Sequence, residues 1–285
     1  MVRGNLQMRA ALRSGALIAC LALTANALGE TRQDCEQQFK PQSGQPGKDV
    51  VWVPTNDALV MRMLKMANVA ASDLVYDLGA GDGKIAIAAA KHFGARSVGV
   101  EYDPALAKLA QCFAKVEGVA DRARIVNGDI FETDFSDASV VTLYLLPELN
   151  LRLRPTILKM KPGTRIVSHS FLMEDWDPDD RSMTEDGHAY LWIVPANIDG
   201  RWMFKQKDGK DRLAVQFEQK FQEINGTAGE RKTPLTNAKL HGDQLKASFP
   251  EKGATATLAG RVNGERIEAR ITRGGTTSNY IGERM

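Results

Sequence analysis

The stretch that most limits what this chain can fold into runs from Leu74 to Pro104. Leu74-Val75-Tyr76-Asp77-Leu78 is a short apolar run entering Gly79-Ala80-Gly81-Asp82-Gly83, three glycines separated by single residues. Ile85-Ala86-Ile87-Ala88-Ala89-Ala90 then has helical composition, and Val98-Gly99-Val100 is a second buried-strand signal that ends on Glu101. Strand, tight turn, helix and strand make a βαβ unit, which requires a parallel sheet. Glycines have no Cβ, so the backbone can turn sharply and a ligand can lie against the main chain. The following helix turns free N–H groups and a partial positive charge toward that ligand. Glu101, at the carboxyl end of the second strand, is placed to accept from a ribose diol. The stretch predicts a ligand that carries a nucleoside.

The same alternation continues on both sides. Val50 to Asn56 leads into a helix whose apolar positions 59, 60, 63, 64 and 67 share one face, with Thr55 or Asn56 as its cap. Asp103-Pro104 is a cap and first-turn signature, opening a helix that runs to about Gly118. Arg124-Ile125-Val126, Ser139 to Pro147 and Arg165 to Ser168 read as further strands. Tyr190 to Val194 follows as another, after an acidic loop from Glu174 to Asp186. Between the fourth and fifth strands, Leu149, Leu153 and Leu158 lie on a helix that stops at Lys161-Pro162-Gly163. The expected fold is α/β, a Rossmann-like, doubly wound, mostly parallel sheet over residues 50–199. From Gly200 the period shortens: Leu213, Val215 and Phe217 alternate with polar residues. Asn225-Gly226, Gly242-Asp243 and Asn263-Gly264 are hairpin-type signals. Residues 200–285 therefore read as a small antiparallel β domain, with no metal-ligand cluster and no nucleophile–base pair.

The N-terminus is a separate object. Arg3, Arg9 and Arg13 precede an uncharged run from Ser14 to Ala25, and Ala25-Asn26-Ala27 is a small-x-small cleavage site. These are the three parts of a secretory signal peptide over residues 1–27. The run falls short of the roughly 20 residues of a transmembrane span. Cleavage places the chain in the periplasm or outside the cell; without it the chain stays cytoplasmic or membrane-anchored. Residues 28–49, polar and rich in Gln, Gly and Pro, read as a linker or loosely held arm. Cys35 is then expected in a mobile tail and Cys112 as a small buried helix residue, with a disulfide between them as the alternative. A formal net charge of +2 supplies no strong field for nucleic acid or acidic lipid.

The glycine spacing separates ligand classes. The third glycine stands at 83, where the nicotinamide fingerprint wants 84, and Lys84 precedes Ile85 rather than Ser or Thr, so no Walker loop is present. Asp77 lies two residues before the first glycine, and Glu101 and Asp129 close the second and third strands. Asp77-Leu78-Gly79-Ala80-Gly81-Asp82-Gly83 resembles the first motif of class I S-adenosylmethionine-dependent methyltransferases. Together with Val53-Pro54-Thr55, Gly99-Val100-Glu101 and Leu145-Leu146-Pro147, it is similar to the ATP-synthase c-subunit and adenine-nucleotide-translocase lysine methyltransferases and their bacterial relatives.

The resemblance implies S-adenosyl-L-methionine as cofactor, held by ten residues. Asp77, Gly79, Ala80 and Gly81 would take the methionine end, and Gly83 would permit close helix packing. Glu101, with Tyr102 beside it, would bind the ribose; Asp129 and Ile130 would frame the adenine; Thr55 would complete the site. The methyl acceptor would meet the end of the fourth strand, which makes Tyr144 and Glu148 the catalytic candidates. His169 reads as a structural histidine. The implied acceptor is a protein lysine or a small molecule, with no nucleic acid partner and no metal. The alternative is an exported nucleoside-binding module that keeps the fold without transfer, since fold alone does not fix function.

Overall fold

The computed structural model of the chain describes residues 1–2, 30–209 and 211–285. The leader and its cleavage site fall on residues outside that description. Seven strands form the first sheet: β1 (Leu74–Leu78), β2 (Arg96–Glu101), β3 (Ala123–Asn127), β4 (Val140–Leu143), β5 (Arg165–His169), β6 (Asp180–Thr184) and β7 (Gly187–Ile193). Their spatial order is β3-β2-β1-β4-β5-β7-β6. The first five are mutually parallel, and β7 runs antiparallel to β5 and β6. The chain changes its direction of travel across the sheet between β1 and β4, and ligands of such sheets sit at that switch, outside the carboxyl ends.

Five helices accompany this sheet: α1 (Arg32–Phe39), α2 (Asp57–Met66), α3 (Lys84–Phe93), α4 (Pro104–Val116) and α5 (Pro147–Ile157). Local sequence sets their ends. The Asn56 side chain accepts from Ala58 N at the start of α2, and Asp103 accepts from Ala105 N and Leu106 N at the start of α4, with Pro104 in its first turn. Alternation along the strands separates two apolar layers. Val140, Val167 and Leu191 pack with Leu59, Met63 and Leu64 of α2. Their neighbours Val141, Ile166 and Trp192 face the other way, with Leu149, Leu153 and Ile157 of α5.

Residues 28–49 are not a loose linker. Helix α1 occupies Arg32–Phe39, opened by a capping box between Thr31 and Asp34. Cys35 is fully buried and bonded to Cys112 of α4, with a Cα–Cα separation of 6.0 Å. Arg32 lies 3.7 Å over the Phe113 ring and pairs with Glu117 at 3.0 Å. Six of its eight residues are polar, so burial alone holds this helix weakly, and the covalent bond supplies the attachment that composition lacks. The acidic loop expected from Glu174 to Asp186 contains β6, an edge strand made of Asp180-Arg181-Ser182-Met183-Thr184 and largely exposed. A strand wet on both faces has no apolar alternation to read.

The second sheet is antiparallel and begins at Gly200. It comprises β8 (Gly200–Gln206), β9 (Arg212–Lys220), β10 (Glu223–Ala228), β11 (Thr233–Pro234), β12 (Thr236–His241), β13 (Gln244–Glu251), β14 (Ala254–Asn263), β15 (Arg266–Arg273) and β16 (Thr276–Arg284). β11 pairs with β10 and β12 with β13, and a single residue separates β11 from β12. That bent segment bridges the two ends and closes the sheet into a barrel. Trp202, Phe204, Phe217, Phe249 and Tyr280 fill its interior. Gly242-Asp243 is the expected two-residue turn, whereas the turn expected at Asn263-Gly264 falls one residue later, on Gly264-Glu265, because Asn263 pairs with Arg266 in the ladder. Asn225-Gly226 is not a turn. It lies inside β10, where a Cβ on Gly226 would stand 2.0 Å from the Gln216 carbonyl, so this glycine serves a close backbone approach. The barrel docks on the first unit through Ala196 N donating to the Gly242 carbonyl at 2.9 Å and Trp176 Nε1 donating to Gln222 Oε1 at 2.8 Å.

Candidate functional site

A cavity of about 320 Å³ opens at the carboxyl ends of β1, β2 and β4, lined by the glycine turn, the residues after β2, β3 and β4, and the arm from Gly47 to Thr55. The turn is held from below: Gly79 N and Ala80 N both donate to the Val100 carbonyl at 2.9 Å. Gly81, at φ +56°, has the Trp52 indole against it; a Cβ there would stand 2.4 Å from the indole nitrogen. Gly83 lies at the back of the turn, where a Cβ would meet Ala110 at 2.8 Å, so it sets the distance between α3 and α4 rather than lining the cavity.

Three acids meet in this low-dielectric wall. Asp77 is 2 % exposed, and its Oδ1 accepts from Thr142 Oγ1 at 2.7 Å, a partner delivered by the β1–β4 register. Burial, reinforced by Asp82 and Glu101 nearby, pushes its carboxyl up to about 7. Burial likewise raises Asp82 and Glu101 above the usual carboxylate range. Glu101 is fixed on both oxygens, accepting from Gly81 N at 2.7 Å and Asp103 N at 2.8 Å. Each oxygen keeps a further lone pair for a ligand hydroxyl. Lys84 also lines the cavity, but its ammonium is held by the Thr55 carbonyl at 3.0 Å and Asp57 at 2.8 Å. The wall therefore carries surplus negative charge, and a ligand with an ammonium and a sulfonium group matches it.

The arm covers the opposite side. Its short ladder, Trp52 N to the Gln45 carbonyl and Gly44 N to the Trp52 carbonyl, presents Trp52 to Gly81. Lys48 reaches Asp129 at 2.5 Å and lies 5.0 Å from the Tyr102 ring centre. That ion pair holds the Asp129 carboxyl below its ordinary value. Beyond β4, Tyr144 stacks on His169, with ring centres 3.7 Å apart. His169 Nδ1 is 3.1 Å from Thr55 Oγ1, and burial with His188 nearby lowers its pKa to about 4, so the ring is neutral near pH 7.

Of the residues singled out from sequence, Thr55, Asp77, Gly79, Ala80, Gly81, Glu101, Tyr102, Asp129, Ile130 and Tyr144 all border this cavity. Glu148 does not: it is exposed on the first turn of α5, where an acid suits the helix dipole. Sequence reasoning missed Lys48, Trp52 and Phe171, which also line it. A lone tryptophan flanked by valines after a polar stretch was the available signal for the arm.

The model for the ANTKMT methyltransferase domain matches residues 77–180, ending before the barrel. A protein-lysine N-methyltransferase of Saccharolobus islandicus is 44% identical over 151 residues, covering 51% of this chain and 94% of the relative. The lysine N-methyltransferase of the ATP-synthase c-subunit from Homo sapiens is 31% identical, covering 59% of this chain and 68% of the relative. A crystal structure described as an RNA methyltransferase from Salinibacter ruber, in complex with S-adenosyl-L-homocysteine, is 50% identical. It superposes with a TM-score of 0.50 and covers 51% of this chain and 96% of that one. The glycine turn, the paired strand-end acids and these relatives agree, and the chain belongs to the ANTKMT-type family of S-adenosylmethionine-dependent methyltransferases.

Proposed function

We propose that the methyl acceptor is the side-chain amine of a protein lysine and that the enzyme works after export from the cytoplasm. The observation that carries the acceptor is the agreement of the archaeal and human relatives, both protein-lysine N-methyltransferases by name. The site is consistent with it. Asp77, Gly79, Ala80 and Gly81 hold the methionine end of the cofactor, Glu101 and Tyr102 the ribose, and Asp129 and Ile130 the adenine. Thr55 steadies the neutral His169 ring under Tyr144. Bound S-adenosylmethionine supplies an electrophilic methyl group on a sulfonium. The chain's own residues then have to align the amine and keep it unprotonated. Positioning of this kind is worth about 7–11 kcal/mol. Tyr144, Leu145, Leu146 and Phe171 make that end of the cavity aromatic and apolar, which disfavours an ammonium and favours the free amine.

The Salinibacter ruber relative, described as acting on RNA, names the competing acceptor. Transfer of a labelled methyl group from S-adenosylmethionine to fractionated protein and to RNA from the same cells decides between them. Label in protein, mapped to lysine by mass spectrometry, supports the proposal; label in RNA alone refutes it. Export is supported by the leader-like residues 1–27 and by the Cys35–Cys112 bond, which persists in oxidising compartments. A fusion of residues 1–40 to a reporter active only outside the cytoplasm checks it, and a silent reporter refutes it.

A further inference from the structure

The modest net charge of the whole chain conceals a division. Residues 200–285 carry 16 Lys and Arg against 10 Asp and Glu, while residues 1–199 carry 21 against 25. The excess positive charge is gathered on the outside of the barrel. Inward positions of β12 to β16 hold Leu240, Leu245, Leu258, Ile271 and Tyr280, so the intervening residues face outward. The pairing register brings Lys239 opposite Lys246 and Lys205 opposite Arg212. Like charges directly opposite across a ladder destabilise it. Along the same face, Lys207, Lys246, Arg261 and Arg270 surround a shallow groove of about 440 Å³ floored by Ala259 and Gly260. Glu268 is the one acid among its lining residues. Arg261 has Asp243 at 3.4 Å, whereas Lys207, Lys239, Lys246 and Arg270 form no ion pair with any described residue.

We propose that this basic face of the barrel docks the enzyme on an anionic phospholipid bilayer. The barrel tolerates the repulsive Lys239–Lys246 pair, which a surface of opposite charge relieves; Lys205, opposite Arg212, is already paired with Glu283 at 2.8 Å. Small floor residues let headgroup phosphates approach between the four cations. Single-stranded nucleic acid is the weaker fit, because binding it draws on exposed aromatic rings for stacking. Among the described residues, none of the barrel's Phe, Tyr or Trp rings is exposed. The preference for a bilayer over nucleic acid also rests on the export reading. No described helix is long and apolar enough to cross a membrane, and the contact proposed for this face is electrostatic.

The test is flotation of the full chain with phosphatidylglycerol-rich vesicles, with pure phosphatidylcholine vesicles and with RNA, at low and high salt. A basic face worth about 1 kcal/mol per cation loses about fivefold in affinity for each cation removed. The double variant Lys246→Glu with Arg270→Glu is therefore expected to bind phosphatidylglycerol vesicles at least about 25-fold more weakly. Binding that is salt-sensitive, specific to the anionic vesicles and lost in this variant supports the proposal. Binding equal on both vesicle types or unchanged in the variant overturns it, as does tighter binding to RNA. Far-ultraviolet circular dichroism and S-adenosylhomocysteine affinity, measured in parallel, show that the barrel and the first unit of the variant are both folded. The affinity also separates a failed docking surface from a failed methyltransferase site.

Discussion

The buried Asp77 carboxyl gives the sharpest prediction. Its folded-state pKa is about 7 against an ordinary 3.8. An acid whose folded pKa is raised lowers stability as pH climbs from the unfolded value to the folded one, because the unfolded chain gives up the proton first. At 1.36 kcal/mol per pK unit the penalty is about 1.5 kcal/mol at pH 5 and about 4 kcal/mol at pH 8, above both values. Asp77→Asn keeps an oxygen to accept from Thr142 Oγ1 and removes the charge. The variant should therefore gain stability over the wild type, and its advantage should widen by about 2–3 kcal/mol between pH 5 and pH 8. Differential scanning calorimetry without cofactor reads this as a Tm gap of several degrees for a domain of this size. Titration calorimetry should show the opposite for function: S-adenosylmethionine affinity at least tenfold weaker, since the uncompensated negative charge is what receives the cation. A Tm advantage that is absent, or equal at the two pH values, refutes the argument that Asp77 is a buried charge held for the ligand.

Other outcomes follow from the same geometry. Gly81→Ala drives a Cβ into the Trp52 indole at a left-handed backbone position; cofactor affinity should fall about a hundredfold or more, about 3 kcal/mol, and restoration by adding Trp52→Ala would identify the clash as the cause. Cys35→Ser opens a covalent loop with a sequence separation of 77, so the unit containing it should lose about 4 kcal/mol. Because α1 leads into the arm over the cavity, cofactor binding should weaken too; a variant as stable as the wild type in calorimetry disproves this. Tyr144→Phe should keep the stack on His169 and most activity, whereas Tyr144→Ala should lower kcat by more than it weakens cofactor binding. Equal losses in the two would show that Tyr144 is not at the acceptor end.

The sheet and the glycine turn were legible because periodicity and turn chemistry act locally. Leu59, Val60, Met63 and Leu64 could be placed on one helical face, and Asp103-Pro104 could be read as a helix start, without knowledge of the fold. What escaped was non-local. Lys48 meets Asp129 across a span of chain that no pattern connects, and the Cys35–Cys112 bond, open in the sequence only as an alternative, needed their proximity to decide it. Segment β6 carried no apolar signal because both its faces are wet. Asn225-Gly226 has the composition of a turn, yet tertiary packing against the Gln216 backbone decided its use. The modest net charge hid how the two domains divide it, since a sum over residues says nothing of its distribution.

The Cys35–Cys112 bond has a topological consequence. The chain between the two cysteines, with the glycine turn and Glu101 inside it, is a covalent ring. The arm is part of that ring, and Val51 and Val53 on it are exposed enough for a protease to reach. One cut there opens the ring and separates no fragments: α1 stays tethered to α4 by sulfur, and the cut ends remain beside the cavity. A nicked molecule would run as a single band until reduced. In a compartment where proteases are met and thiols are oxidised, such an enzyme can take damage to its lid and still keep every part of its cofactor site on one molecule.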